Sequence, residues 1–225
     1  MNSTNKLLIV GDGAFAEVAY EYFTEDSEYE VVGFAVEEEY LTKDHLFGLP
    51  IVALEKLSSN FSPRDHAAFV AITYNNLNRL RTRLVRTVQE MKYELASFIS
   101  SHAQVAKSAR VSEHCFIFEN NVIQPGVTVS ENVIIWSGNH IGHHSAIGEN
   151  CFISSHAVVS GFCIIGQNCF LGVNSSIANN VQIGDDNWIG PGVVITQDTA
   201  AGEIYTLPKA IPAKVSSLRF FRVKE

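Results

Sequence analysis

Three of the eight histidines lie within the short segment 137–145, at His140, His143 and His144. Histidine changes its charge near pH 7 more readily than any other side chain, so such a cluster is typical of a general base or a metal site. His143 and His144 are adjacent, which places two imidazoles at one point of the backbone. The plain alternative is that these histidines are surface residues without a chemical role.

The element that must position these histidines is a repeat of six residues. An aliphatic residue occupies every sixth position from Ile99 to Ile195, without insertion or slip. This period fits neither an α-helix nor a simple strand, but it fits a short strand and a corner that occur three times per coil. The sequence therefore predicts a left-handed parallel β-helix over residues 99–199. Because His143 and His144 follow Ile141 by two and three positions, we expect both at an outward corner.

The four cysteines share one position of this repeat. Each is the fourth residue after an aliphatic one, where only a small side chain fits beside the axis: Cys115, Cys151, Cys163 and Cys169. We expect them to be buried as small hydrophobic residues and to form neither disulfides nor a metal site.

A different pattern occupies residues 1–98. The apolar run 7–10 ends at a turn that begins with Gly11 and Gly13, a helical pattern follows, and the apolar run 30–36 ends at acidic residues from Glu37 onwards. This is the order of a dinucleotide-binding βαβ unit, in which the helix N-terminus binds phosphate. Residues 1–98 are too few for two such units, so we predict an α/β half-Rossmann domain that binds a single nucleotide.

Three further elements are predicted around the end of this domain. We expect a buried strand over 67–73, an arginine-rich helix over 76–91 whose arginines form a solvated face, and a last strand over 95–100 that leads into the β-helix. Residues 200–225 form a basic tail that either contacts a small anion or is solvated; its charged residues are Lys209, Lys214, Arg219, Arg222 and Lys224 against Glu203 and Glu225.

Charge and hydropathy exclude several classes of protein. The net charge of −8 argues against nucleic-acid binding. No apolar run reaches the length of a membrane span, and residues 1–6 lack the features of a secretion signal. We therefore expect a cytoplasmic protein with no membrane span and no nucleic-acid partner.

The two-domain order and the segment Ile141-Gly142-His143-His144-Ser145-Ala146-Ile147-Gly148 resemble a known family. The chain is similar to bacterial sugar acetyltransferases of the hexapeptide-repeat class. The nearest types are nucleotide-sugar N-acetyltransferases that act on UDP-bacillosamine precursors or GDP-perosamine, together with O-acetyltransferases of the sialic-acid pathway. The resemblance implies a homotrimer with acetyl-CoA as co-substrate, no permanently bound cofactor, and a nucleotide-linked amino sugar as acceptor.

The resemblance also implies roles for particular residues. His143 is the expected general base, and His144 stands where the family commonly has an acidic residue that strengthens the base. The expected acetyl-CoA contacts are Phe152, Gly161, Val173 and Pro191, with a backbone N–H near Gly161 as a donor to the thioester oxygen. The expected sugar-nucleotide contacts are Gly11, Gly13, Ala14, Phe15, Val36 and Glu37.

Three alternatives stay open at this point. The acceptor is an amine or a hydroxyl, since both need a base. A three-histidine zinc enzyme on the same coil would need a histidine two coils earlier, where Gln104, Lys107 and Ser108 stand instead. A binding scaffold without catalysis predicts that replacing His143 has no effect.

Overall fold

The N-terminal domain is built on a six-stranded sheet. In this computed structural model, which describes residues 5–223, its elements follow the chain as β1 (Lys6–Val10), α1 (Ala14–Glu25), β2 (Glu30–Val36), β3 (His45–Leu46), β4 (Leu49–Ala53), α2 (Leu57–Asn60), β5 (Ala67–Val70), α3 (Arg79–Glu90) and β6 (Glu94–Leu95). The strand order is β3-β4-β2-β1-β5-β6, and every pair is parallel except the β3–β4 hairpin. The predicted order of strand, glycine turn, helix and strand is confirmed.

The second domain is a left-handed parallel β-helix of two-residue strands, as predicted. Its three sheets stack strands from successive coils in register. The first, here called the docked sheet, contains Phe98–Ile99, Phe116–Ile117, Ile134–Ile135, Phe152–Ile153, Phe170–Leu171, Trp188–Ile189 and Ile204–Tyr205. The second sheet contains Gln104–Val105, Val122–Ile123, His140–Ile141, Val158–Val159, Ser176–Ile177 and Val194–Ile195. The third sheet contains Arg110–Val111, Thr128–Val129, Ala146–Ile147, Ile164–Ile165 and Gln182–Ile183.

The axis of the β-helix is filled by the aliphatic residue of each hexad and by the small residue four positions later. All four cysteines belong to this core and are buried, as predicted. Burial raises the pKa of the Cys115 thiol to about 12. A thiol held in this state is a poor nucleophile, so Cys115 acts in packing.

Aromatic side chains join the two domains. The docked sheet presents Phe98, Phe116, Phe152 and Phe170 to the N-terminal domain, where they pack in one cluster with residues of α1 such as Phe15. The other face of the N-terminal sheet packs on α3. Large ring contacts of this kind bury much apolar area and fix one sheet of the β-helix against the N-terminal domain.

The three corners of the coil form three edges along the β-helix. The open edge joins the second sheet to the third and contains His143 and Phe162. The closed edge joins the third sheet to the docked sheet and contains His114 and Asn132. The third edge joins the docked sheet to the second and contains Val173. Because the docked sheet lies under the N-terminal domain, the open edge is the one farthest from that domain.

Three of the predicted elements differ from the structure in their bounds. The strand expected over 67–73 ends at Val70. The helix expected over 76–91 begins only at Arg79, because Asn76, Leu77 and Asn78 have positive φ angles of 51°, 48° and 67°. The strand expected over 95–100 is two strands, one at Glu94–Leu95 in the N-terminal sheet and one at Phe98–Ile99 in the β-helix. The chain therefore changes domain between Leu95 and Phe98.

The expectation of a solvated arginine face on α3 is wrong for Arg81. This side chain is fully buried and donates to the carbonyl oxygens of Thr73 and Asn150 and to the amide oxygen of Asn132. Arg81 thus connects α3 and the loop after β5 to the closed edge. This burial could not be predicted from the sequence, because the covering element is far away in the chain.

Beyond the last strand, Ile204–Tyr205, the chain is exposed up to residue 223 and contains one short helix, α4 (Ser217–Phe220). No helix within residues 5–223 is long and apolar enough to cross a membrane.

Candidate active site

A cleft of about 540 Å³ opens at the carboxyl ends of β1, β2 and β5. This is the place where open parallel sheets bind ligands. All six residues expected to contact a sugar nucleotide line this cleft: Gly11, Gly13, Ala14, Phe15, Val36 and Glu37. The structure therefore brings these residues together, although they come from two separate segments.

The glycine turn at the floor of the cleft leaves the start of α1 bare. Gly11 has a φ of 124°, and a Cβ there would lie 3.0 Å from the carbonyl oxygen of Ala71, so a side chain is excluded. Gly13 is the N-cap of α1 and no side chain caps the helix. The first N–H groups of α1 are therefore available to an anionic group in the cleft. Lys43 adds a cation beside the turn, with its Nζ 3.6 Å from the Asp12 carboxylate.

Glu37 is held at the rim of the cleft by a bidentate ion pair. The Arg83 guanidinium donates to both carboxylate oxygens at 2.7 and 2.9 Å. These charge-assisted bonds, against some burial, hold the pKa of Glu37 below its usual range. The carboxylate is thus ionised near neutral pH and keeps lone pairs for hydroxyl donors.

His143 and His144 lie together on the open edge, and both are exposed. Their Nδ1 atoms are 3.2 Å apart, within hydrogen-bond distance. The backbone N–H of His143 donates to Oε1 of Gln124 at 2.9 Å, in the adjoining coil. Phe162, in the coil on the other side, stacks on the His144 ring with centroids 5.1 Å apart.

Glycine makes room for both rings. A Cβ on Gly161 would lie 2.9 Å from Cε1 and Nε2 of His143, and a Cβ on Gly126 would lie 3.0 Å from Cδ2 of His144. Residues 18 positions apart stack along the edge, so any side chain at Gly161 would displace the His143 ring. The Gly161 N–H donates to Oδ1 of Asn179 at 3.0 Å, so within one chain this expected donor to a thioester oxygen is already occupied.

The other residues expected at acetyl-CoA lie elsewhere. Val173 and Pro191 are exposed and stack on the third edge. Phe152 does not fit the expectation, because it is 3% exposed and packs against Tyr74 and Phe170 under the N-terminal domain. Its side chain is therefore unavailable to a ligand on the open edge.

A second constellation with a histidine lies on the closed edge. His114 is fully buried, accepts a hydrogen bond from the Val70 N–H at 2.8 Å on Nε2, and approaches Oδ1 of Asn132 at 3.0 Å with Nδ1. Burial, followed by the positive charge of Arg81, lowers the pKa of His114 to about 3. This histidine stays neutral and connects the domains.

Residues 5–223 contain no group of three histidine, cysteine or acidic side chains arranged to hold a metal ion.

Comparison with known families shows what the two domains are. Residues 6–88 match the PglD N-terminal domain, and residues 126–161 and 162–197 match the bacterial transferase hexapeptide of six repeats. The first part of the chain is thus similar to the PglD N-terminal domain, and the second part is similar to bacterial transferase hexapeptide repeats. The resemblance inferred from the sequence is confirmed in both domains and in their order. No significant match to a curated protein sequence was found.

Several solved structures share this two-domain fold. The acetyltransferase domain of PglB from Neisseria gonorrhoeae, in complex with acetyl coenzyme A, is 22% identical with a TM-score of 0.80, over 90% of this chain and 96% of that one. PerB from Caulobacter crescentus, in complex with CoA and GDP-perosamine, is 24% identical with a TM-score of 0.78, over 88% and 92%. WeeI from Acinetobacter baumannii is 17% identical with a TM-score of 0.61, over 88% and 94%. At these identities the likeness shows a shared fold.

Sequence reasoning missed part of the cleft. Its wall also contains Tyr40, Thr73, Asn75 and Leu80. Tyr40 follows the acidic run after β2, and it could have been predicted to line the cleft, because residues that follow parallel strands lie at the same edge of the sheet. The loop residues Thr73 and Asn75 could not be placed, since the predicted strand there ran three residues too far.

Proposed function

We propose that this protein transfers the acetyl group of acetyl-CoA to the amino group of a nucleotide-linked amino sugar, with His143 as general base. The observation that carries the proposal is the combination, in one chain, of a nucleotide-sized cleft and an exposed histidine pair on a hexapeptide β-helix. Solved proteins of the same fold have been obtained with acetyl coenzyme A, and with CoA and GDP-perosamine. Both co-substrates are cytoplasmic compounds, so we place the reaction in the cytoplasm.

The cleft supplies the chemistry for the nucleotide half. The uncapped start of α1 suits a diphosphate. Glu37 comes directly after β2, where an acidic residue of such folds accepts hydrogen bonds from ribose hydroxyls. Arg83 keeps that carboxylate charged and oriented.

The histidine pair supplies the chemistry for acetyl transfer. The amine nitrogen forms a bond to the thioester carbonyl carbon, and Nε2 of His143 takes the proton that the nitrogen loses. Collapse of the tetrahedral intermediate breaks the C–S bond, and the imidazolium returns the proton to the departing thiolate. No covalent intermediate on the protein is needed.

We further propose that the site is completed between copies of the chain, in a homotrimer. The cleft lies on the N-terminal domain, which covers the docked sheet, whereas His143 lies on the edge farthest from it. The acceptor in one cleft therefore reaches the open edge of a neighbouring copy. In the same arrangement acetyl-CoA lies between Gly161 on the open edge of one copy and Val173 and Pro191 on the third edge of the next.

Product analysis tests the proposed reaction. Purified protein is incubated with acetyl-CoA and a panel of nucleotide-linked sugars that carry a 4-amino or a 4-hydroxyl group, and thiol release and product mass are recorded. We expect thiol release with an amino sugar and a product heavier by one acetyl group. Acetylation of only the hydroxyl compounds would instead assign O-acetylation, and no thiol release with any acceptor would contradict both.

A further inference from the structure

The contact between His143 and His144 is compatible with two arrangements of the ring hydrogens. The two Nδ1 atoms are 3.2 Å apart. A hydrogen bond between two ring nitrogens forms only when one carries hydrogen and the other offers a lone pair. Each neutral ring carries a single proton, so the bond couples the tautomers of the two rings.

The proposed role of His143 decides that choice. A base that accepts a proton at Nε2 must carry its own hydrogen on Nδ1. His144 must then accept at Nδ1 and carry its hydrogen on Nε2. A carboxylate in this position would be an acceptor by nature, whereas a neutral imidazole is one only in this tautomer.

The His144 ring is fixed from both adjoining coils. Its backbone N–H donates to the carbonyl oxygen of Pro125 at 3.1 Å, and its φ of 57° is left-handed. The ring stacks on Phe162 at an interplanar angle of 12°, and Gly126 leaves space for it on the other side. The ring is therefore held in one orientation before any substrate binds.

No acidic side chain faces the pair from the neighbouring turns of the same chain. The adjoining turns contain Gln124, Pro125 and Gly126 on one side and Gly161 and Phe162 on the other. The next turns contain Lys107 and Ser108 on one side, and Asn179 and Asn180 on the other. Within the chain, His144 is the group in contact with Nδ1 of His143.

We propose that His144 is a positioning residue that fixes the tautomer of His143 as a neutral hydrogen-bond acceptor. This inference rests on the proposed function. Its consequence is a distinct dependence on pH. Protonation of either ring ends the productive arrangement, because a protonated His144 has no lone pair at Nδ1. Activity therefore falls with acid through two coupled groups instead of one.

Three substitutions at His144 separate this role from a structural one. Asparagine and aspartate adopt the left-handed backbone readily, and both place an acceptor oxygen close to the position of Nδ1. His144→Asn keeps a neutral acceptor that does not titrate, His144→Asp supplies a carboxylate, and His144→Ala removes the acceptor. Each variant is compared with the wild type as a ratio of kcat/KM across pH, since the ratio cancels ionisation of the acceptor amine.

The expected ratios differ in size and in trend. For His144→Ala we expect a kcat/KM about 10–100-fold lower than that of the wild type at pH 8, the usual loss when the outer partner of an imidazole is removed. For His144→Asn the ratio of its kcat/KM to that of the wild type rises as the pH falls, because His143 is then the only ring of the pair that acid can protonate. For His144→Asp it falls, because a carboxylate favours the protonated form of His143.

Ratios of His144→Asn and His144→Asp that do not vary with pH, or a kcat/KM of His144→Ala equal to that of the wild type, would overturn the proposal. His45→Ala, at an exposed histidine of the N-terminal domain, is the control for loss of a histidine and should match the wild type. The melting temperatures of all variants show whether a loss of activity comes from unfolding.

A spectroscopic measurement provides a readout besides activity. Long-range ¹H–¹⁵N spectra of the histidine-labelled protein at pH 8 should show hydrogen on Nδ1 of His143 and on Nε2 of His144. The reverse assignment would overturn the proposal even if acetyl transfer is observed. An inactive wild type with the expected tautomers would instead contradict the proposed function alone.

Discussion

The open and closed edges of the β-helix have the same backbone conformation but place histidine in opposite environments. His144 on the open edge and His114 on the closed edge occupy the same turn position, with φ angles of 57° and 54°. His144 is exposed and touches a second imidazole, whereas His114 is buried and bonded to the backbone of β5. The repeat therefore offers equivalent positions, and the element that covers an edge decides the role of the residues on it.

The covering element of the closed edge is α3 with its buried Arg81. This guanidinium has no carboxylate partner and is satisfied by carbonyl and amide oxygens of Thr73, Asn132 and Asn150. Asn132 and Asn150 continue as a ladder of side-chain amides along the edge. Such a network fixes the N-terminal domain, and with it the cleft at the ends of β1, β2 and β5, on the β-helix.

The largest effect is expected on the open edge, for His143→Ala. Loss of a general base should lower kcat by about 10²–10⁴-fold. The free energy of unfolding should change by less than about 0.5 kcal/mol, because the side chain is exposed. Thiol-release kinetics and urea unfolding measure the two quantities. A loss in kcat of less than about tenfold at the optimal pH would show that the open edge does not supply the base.

The next largest effect is expected on the closed edge, for Arg81→Met. Methionine fills much of the volume but leaves buried carbonyl oxygens without donors, so we expect a loss of about 3 kcal/mol in the free energy of unfolding. Arg86→Met, an exposed arginine of the same helix, is the matched control and should cost less than about 0.5 kcal/mol. Equal effects of the two substitutions in urea unfolding would contradict the role of Arg81.

A smaller effect with a characteristic pH dependence is expected for His114→Asn. Asparagine suits the left-handed turn but leaves the Val70 N–H unpaired, at a cost of about 2 kcal/mol at pH 7. The folded protein keeps His114 neutral down to a pKa of about 3, whereas the unfolded chain protonates it near its ordinary pKa of about 6.5.

The unfolded state thus binds the additional proton as the pH falls below about 6.5, and wild-type stability is lost in the window from about 6.5 down to 3. The gap between wild type and His114→Asn should therefore narrow by about 1–2 kcal/mol between pH 7 and pH 5. Urea unfolding at both values measures it. A gap of constant size would show that His114 does not titrate on unfolding.

The smallest effect is expected for Arg79→Ala, which removes the ion pair with Asp186 on the closed edge. Both side chains are about half exposed, at 47% and 39%, and exposed pairs contribute about 0–1 kcal/mol. We expect a change in the free energy of unfolding within that range and a further decrease of the effect in high salt. A loss in the free energy of unfolding as large as that of Arg81→Met would mean that the exposed ion pair, and not the buried network of Arg81, holds α3 on the closed edge.

The sequence predicted the β-helix well because its signal is local and repeated. The inward-facing residue of each hexad can be read from the hexad itself. The aliphatic residues from Ile99 to Ile195 therefore predict the coil without knowledge of any distant contact. The glycine turn and α1 were predictable for the same reason. The hairpin of β3 and β4 was missed, since the short segments around Phe47 and Gly48 carry no regular alternation.

The contacts between domains could not be predicted in this way. Phe152 has the same hexad position on the docked sheet as Ile164 has on the third sheet, yet the first is buried and the second is 51% exposed. Only the position of the N-terminal domain distinguishes them. The same holds for Arg81, which in sequence is one of several arginines on an amphipathic helix.

The central claim is that an acceptor bound in the cleft of one copy reaches His143 on the open edge of another copy. Co-expression of two inactive variants tests this claim most directly. His143→Ala removes the base. Gly13→Asp places a good N-cap and a negative charge at the start of α1, where we propose that the phosphates bind, and a Cβ at Gly13 meets no atom within 4 Å. Random assembly of equal amounts should restore about a quarter of the wild-type thiol-release rate, because a quarter of the shared sites combine an intact cleft with an intact base. Mixed oligomers without activity would contradict the account, since they would show that each site lies within a single chain.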